Sequence, residues 1–164
     1  MSERIVIRRA EKRDAEWIEA FNRKLAEESE GLVLTGETVR AGVRELLENP
    51  ALGCYFIAED HDTPVGQIGL TYEWSDWRNG MFWWIQSVYV IPQVRRGGVF
   101  RKLFHEVETR ALEDPGCCGL RLYVEHDNRT AVQTYRTLGL SEAPYRMMEL
   151  DFTEPEREES EGKD

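Results

Sequence analysis

Apolar positions recur along this chain with two periods, and those periods outline its elements. Ile5 and Ile7 share one face of Arg4 to Arg8, which predicts a short strand. From Glu11, residues Ala15, Ile18, Phe21 and Leu25 return at helical intervals, with Asp14 in the first turn, where a carboxylate suits the positive end of a helix. Gly31 to Gly36 breaks that helix. A second runs from Thr38 to Leu47, apolar at Val39, Val43, Leu46 and Leu47, and Asn49-Pro50 stops it. Cys54 to Glu59 and Val65 to Trp74 read as strands joined by the turn Asp60 to Pro64. After the polar turn Ser75 to Gly80 comes a longer strand, Phe82 to Ile91. Its alternate sets are Trp84, Gln86, Val88, Val90 and Trp83, Ile85, Ser87, Tyr89. Both are mostly bulky, as in a strand covered on two faces.

A helix from Gly97 carries the stripe Val99, Phe100, Leu103, Phe104, Val107, Ala111 and ends at Asp114-Pro115-Gly116. Leu120 to Val124 predicts a strand. Thr130 to Leu138 predicts a helix capped by Asp127 or Asn128 and closed by Gly139, and Tyr145 to Phe152 a last strand. The order βααβββαβαβ predicts a layered α/β fold with a mixed, mostly antiparallel sheet of six to seven strands flanked by about four helices. One domain is expected over residues 1–153, and the acidic tail 154–164 is expected to be disordered.

Charge narrows the partners. The formal net charge is −10; the tail's six acids against Arg157 and Lys163 account for −4, which leaves −6 on the body. Such a body is not built to grip nucleic acid or an anionic membrane, and it is compatible with a cationic acceptor such as an amine. No apolar run is long enough to cross a bilayer, and Met1-Ser2-Glu3-Arg4 lacks a signal-peptide core, so a cytoplasmic location is expected. Cys117 and Cys118 are adjacent and Cys54 is distant. That is not metal-ligand spacing, and it suits a reducing compartment. His126 beside Asp127 has no third ligand at a suitable interval and reads as a loop residue. No metal is expected.

The candidate chemistry lies between Val88 and Gly139. Arg95, Arg96, Arg101 and Lys102 surround Gly97-Gly98 at a helix start, on a chain that is otherwise acidic. Glycines let backbone approach a ligand closely, and the helix N-terminus contributes about half a positive charge. A phosphate or pyrophosphate suits that geometry. The turn lacks the Gly-Lys-Ser/Thr of a Walker loop and the three spaced glycines of a dinucleotide fingerprint.

The run Val88-x-Val90-x-Pro92-x-x-Arg95-x-x-Gly98 resembles the acyl-CoA motif of the GNAT superfamily of N-acyltransferases. The resemblance implies acetyl-CoA as co-substrate. Its pantetheine arm would run along Val88, Tyr89 and Val90, and its pyrophosphate would sit on the amides of Arg95, Arg96, Gly97, Gly98, Val99 and Phe100. Phe100 departs from the family pattern, standing where Gly or Ala is usual, so its ring must turn into the helix stripe. Asn128-x-x-Ala131-x-x-x-Tyr135-x-x-x-Gly139 also resembles the family, in the helix after its fifth strand. By that resemblance Asn128 lines the pantetheine gap, while its residue type alone makes it an N-cap; the two roles are compatible. Tyr135 would stand near the CoA sulfur.

Acyl transfer to an amine expels a thiolate whose parent thiol has a pKa near ~8.5, and a phenol near ~10 can protonate it. Tyr135 is thus the candidate acid, with a core aromatic as the plainer alternative. A lysine-like amine, pKa ~10.4, must lose a proton before attack, which calls for a carboxylate. Glu125, expected at a strand end, is the first candidate and Glu73 the second. Gln86 and Ser87 interrupt an apolar strand where this family tends to carry a bulge, and the amide of Val88 there suits a developing oxyanion. Trp74, Trp77, Trp83 and Trp84 cluster around one hairpin. They suggest an acceptor pocket or, alternatively, hairpin packing or a homodimer contact. Acceptor contacts are expected from Leu25 to Gly36 and Tyr72 to Gly80. The sequence thus points to N-acetyl transfer to a small-molecule or peptide amine, by direct attack in a ternary complex. The alternative is a non-catalytic acyl-CoA-binding or partner-binding domain on the same scaffold.

Overall fold

A computed structural model of the chain describes residues 4–153, so the acidic tail 154–164 lies outside the described residues. The chain divides after Tyr123 into two compact units. In the first, β1 (Ile5–Arg9), β2 (Gly53–Asp60), β3 (Thr63–Ser75), β4 (Gly80–Val90) and β5 (Cys117–Leu122) form one sheet in that spatial order. The first four pair antiparallel, and β4 and β5 pair parallel. β4 is therefore an interior strand, as its two bulky faces predict. Three helices complete this unit: α1 (Ala15–Glu30), α2 (Gly36–Glu48) and α3 (Val99–Glu113). A parallel pair cannot be joined by a hairpin, and α3 supplies the crossover.

Pleating assigns the helices to faces. Ile18 and Val43, from α1 and α2, pack with Tyr55 and Ile57 of β2. Phe56 points the other way, and Arg110 of α3 lies 5.0 Å from its ring centroid. The α3 stripe Val99, Leu103, Phe104, Val107 and Ala111 is buried at 8% exposure or less, as its periodicity predicts. Helices thus cover both faces of the sheet. Among the described residues no helix is long and apolar enough to cross a membrane.

The sheet has five strands rather than six or seven. Tyr145 to Phe152, predicted as a last strand, forms no ladder among the described residues; Tyr145, Met147, Met148, Leu150 and Phe152 are 63% to 95% exposed. β-propensity alone does not make a strand, because an unpaired one leaves its backbone groups to water. β5 begins and ends earlier than its apolar run suggests. At Gly119 a Cβ would come within 2.8 Å of the Phe82 ring, so a side chain there would have to push that ring aside. In the second unit, α4 (Arg129–Thr137) takes Asn128 as its cap, whose Oδ1 accepts the Ala131 amide at 3.0 Å. At its other end the amides of Gly139 and Leu140 donate to the carbonyls of Arg136 and Tyr135, the predicted glycine stop.

One buried ion cluster ties β1 to the start of α1. The Arg8 guanidinium donates to both Asp14 oxygens at 2.8 and 2.7 Å and to Glu59 at 2.6 Å, and the Glu11 amide donates to Asp14 at 2.7 Å. Burial alone would raise the Asp14 carboxyl. The Arg8 fork and the Glu11 amide outweigh it and hold the group below the usual carboxylate range. A depressed folded pKa adds stability above the unfolded value, near ~3.9, that is lost as pH falls toward the folded one. We therefore expect Asp14→Asn to cost on the order of 3 kcal/mol in urea unfolding at pH 7, and the difference to shrink below about pH 4.

Candidate active site

The ladder between β3 and β4 slips at one place. Gln67 pairs with Tyr89 and Gly69 with Gln86, so Ile68 faces two residues, Ser87 and Val88. Ser87 takes φ +46°, a left-handed conformation that strains a non-glycine residue by roughly 1–2 kcal/mol. The bulge therefore falls where the Gln86-Ser87 interruption predicts. β4 and β5 part company just before it, their register ending at Ile85↔Leu122. A buried network stands beneath. Gln67, 0% exposed, donates from Nε2 to the Ser87 carbonyl at 3.0 Å and to Asn22 Oδ1 at 2.7 Å. Asn22 Nδ2 donates to the Tyr55 hydroxyl at 3.2 Å. Tyr55 crosses β3 at Gly69, where a Cβ would meet its ring at 2.8 Å. Gln67 Oε1 is buried without a donor, a cost of roughly 1–3 kcal/mol.

Beyond β4 the chain makes a single 3-10 turn, Pro92–Val94, and enters α3 through Arg95 to Gly98. Arg96 at φ +64° and Gly98 at φ +82° are left-handed on either side of Gly97, and Gly98 is the N-cap of α3. Such a path gathers successive amides around one concavity at the positive end of a helix. A Cβ on Gly97 would come within 3.0 Å of the Val94 carbonyl. These residues fit a diphosphate. Phe100 turns its ring toward Phe104, 6.2 Å between centroids, which keeps it on the helix stripe despite its departure from the family pattern.

Arg95 is spent on architecture. Its Nε donates to the Val90 carbonyl at 2.8 Å and its Nη2 to Glu28 at 2.5 Å, while its guanidinium lies 5.4 Å from the Tyr89 ring centroid. Tyr89 donates its hydroxyl to the same Glu28 at 2.8 Å. Arg95 and then Tyr89 hold the Glu28 carboxyl below its ordinary range; burial, aided by Glu28, pushes the Tyr89 phenol up. Lys102 donates to the Ile5 carbonyl at 3.3 Å. Of the four cations Arg95, Arg96 and Arg101 are exposed, and among the described residues Arg96 and Arg101 have no side-chain hydrogen bond or ion pair.

A pocket of about 390 Å³ opens onto the bulge. Asn22, Leu25, Ala26, Ser29 and Glu30 of α1, Leu32 and Leu34 of the connector, Val39, Gly42 and Val43 of α2, Tyr55 and Ser87 line it. The expected acceptor segment Leu25 to Gly36 contributes to this wall; Tyr72 to Gly80 does not. A second recess of about 420 Å³ between α1 and α2 is lined by Glu16, Glu19, Arg23, Arg40 and Arg44, none of them from β4 or its turn.

The remaining candidates separate. Glu73 accepts the Trp84 indole N–H at 2.7 Å and Arg121 at 2.9 Å, so both its oxygens are engaged. The four tryptophans do not form one cluster. Trp84 stacks on Tyr123, Trp83 tilts against Tyr72, and Trp74 and Trp77 are exposed. In the second unit Glu125 is not at a strand end, because β5 stops at Leu122; it lies exposed in a turn, its carbonyl accepting the Asn128 amide at 3.1 Å. Tyr135 is half-buried on α4, and burial raises its phenol above the ordinary value. Sequence reading missed Asn22, Tyr55 and Gln67, since polar residues in apolar stretches carry no spacing of their own.

An amide-rich glycine turn continuing from a bulged strand, on a sheet with helices on both faces, is the architecture of an acyl-CoA-dependent N-acetyltransferase. The acetyltransferase (GNAT) family model matches residues 12–140, and the chain belongs to that family. Among curated proteins it is similar to thialysine N-epsilon-acetyltransferase of Sus scrofa, 32% identical over 146 residues, covering 82% of this chain and 83% of that protein. Among solved structures it is similar to a possible acetyltransferase from Clostridium difficile 630, 44% identical with a TM-score of 0.85, covering 90% of this chain and 97% of that one. AAC(6')-Iy in complex with a CoA-linked bisubstrate analog shares the fold at 17% identity and a TM-score of 0.74, covering 90% of this chain and 97% of that one.

Gly98→Ala tests the turn directly. The left-handed φ should cost about 1–2 kcal/mol in urea unfolding. A wild-type midpoint would mean the turn relaxes freely.

Proposed function

We propose that the chain moves an acetyl group from acetyl-CoA to a primary amine by direct attack in a ternary complex, using residues 1–153 as one acyltransferase domain. The observation that carries this reading is that β4 holds a left-handed bulge bordering an acceptor-sized pocket and then runs into the glycine turn. Acetyl-CoA supplies the activated thioester acetyl. The amides from Arg95 to Phe100 would hold its diphosphate, with charge from Arg96 and Arg101. The backbone of Val88, Tyr89 and Val90, on the stretch of β4 beyond the β5 ladder, would run beside its pantetheine arm, with Asn128.

The acceptor is read from chemistry. The pocket's apolar walls, its polar floor and the Glu30 carboxylate in its lining suit a small amine on an aliphatic arm, and the similarity to an enzyme named for thialysine supports that class. The Val88 amide would take the charge developing on the acetyl oxygen. Tyr135 is proposed as the acid. Its raised phenol keeps its proton through the neutral range, so the acid form is lost only above an ordinary tyrosine's ~10. Glu125 is proposed as the base, because Glu73 is engaged by Trp84 and Arg121.

Acetyl-CoA at 100 times its Kd should stabilise the protein by about 2.7 kcal/mol, and free thiol should appear on addition of an aliphatic amine. Stabilisation without thiol release across an amine panel would return the chain to a binding-only scaffold. Tyr135→Phe should keep acetyl-CoA affinity while kcat falls by about 100-fold, and it should lose the alkaline limb of the pH profile. Unchanged kcat would remove Tyr135 from the mechanism.

A further inference from the structure

Nothing in the sequence marks Gln67, yet it is the fully buried polar residue on which the bulge leans. The Ser87 carbonyl can only accept, so the Gln67 amide must turn its Nε2 toward it. The same Nε2 then meets Asn22 Oδ1, which turns the Asn22 amide nitrogen toward the Tyr55 hydroxyl. One carbonyl thereby fixes the orientation of the chain of groups that ends in the pocket wall. The peptide bonds are trans, so the Ser87 carbonyl and the Val88 N–H belong to one rigid plane and point in opposite directions. Holding the first aims the second. Gln67 carries this contact with its own Oε1 unpartnered, a burden that packing alone gives no reason to keep.

We propose that Gln67 is a positioning residue for acyl transfer: it locks the strained Ser87–Val88 peptide so that the Val88 amide faces the acetyl oxygen, and through Asn22 and Tyr55 it ties that lock to the acceptor pocket. The inference rests on the acetyl-transfer reading above and adds the group that sets its geometry. It acts through the peptide plane and touches neither substrate. Asn22 and Tyr55 have a double duty, since they line the pocket and also complete the network.

The test is Gln67→Met, which keeps length and apolar bulk but donates nothing, with Gln67→Glu as a second variant of the same size. Acetyl-CoA affinity by calorimetry should stay within about twofold, while kcat falls about 100-fold, the scale of one lost oxyanion donor. Adding Ser87→Gly, which accepts a positive φ without strain, should recover at least about tenfold of kcat. A purely structural role would not respond to that second change. In nitrogen-labelled protein the Val88 amide resonance should move further on acetyl-CoA titration in the wild type than in Gln67→Met. That readout needs no turnover, so a wild type that binds acetyl-CoA but acetylates no amine would sink the transfer reading while still judging Gln67. Kcat within threefold of wild type, a loss confined to KM, absence of rescue by Ser87→Gly, or the same Val88 shift in both proteins would each overturn the proposal.

Discussion

Ser87 sits at φ +46° inside an interior strand, and the rest of the site follows from the residue of register that this conformation absorbs. A parallel ladder needs evenly spaced groups on both strands. The pairing of β4 with β5, which already carries one irregularity between Met81 and Phe82, stops at Ile85↔Leu122, just short of the bulge. Backbone donors and acceptors on an interior strand are ordinarily consumed by two neighbours. Here the stretch from Gln86 to Val90 has β3 as its strand partner among the described residues, which is the condition for an extended ligand to add itself as a strand. The strain at Ser87 is small beside the stability of a domain, but it must be held, and the buried amide network holds it.

The second constraint works at the far end of β4. Glu28, near the end of α1, receives Arg95 and Tyr89 together, and Arg95 also grips the Val90 carbonyl. The exit of β4, the start of the glycine turn and the last turns of α1 are thus one unit. This changes the meaning of the arginine in the motif. Its guanidinium is committed to the path of the turn, whereas Arg96 and Arg101 carry charge that no side chain among the described residues pairs. The same helix end supplies Leu25, Ala26, Ser29 and Glu30 to the pocket, so the clamp couples the glycine turn and the pocket wall through α1.

Much of this was legible in the chain because it is local. The stripe from Val99 to Ala111, the two-sided β4, the glycine stop at Gly139 and the polar break at Gln86-Ser87 all write their structure within a few residues. What failed was non-local. A strand over Tyr145 to Phe152 is locally reasonable, but a strand exists only where an edge receives it. The tryptophans looked clustered because alternate strand positions are close in sequence, yet Trp83 and Trp84 point to opposite faces. Glu73 looked available until Arg121, from a strand more than forty positions away, was seen beside it. Asn22, Tyr55 and Gln67 lie on three elements, and only the folded sheet brings them under Ser87.

The shape of the pocket bears on the hardest step of amine acylation. At neutral pH an alkylamine with a pKa near ~10.4 is almost entirely an ammonium, which does not attack. In a pocket lined by Leu25, Leu32, Leu34, Val39 and Val43, desolvation favours the neutral amine, while Glu30 in the same lining attracts the cation. If this pocket takes the acceptor, its walls do part of the work usually assigned to a base, and the demand on any one carboxylate falls. The acidic body would act earlier and at longer range, raising the local concentration of cationic acceptors, while the apolar wall strips the proton's advantage once the amine is inside.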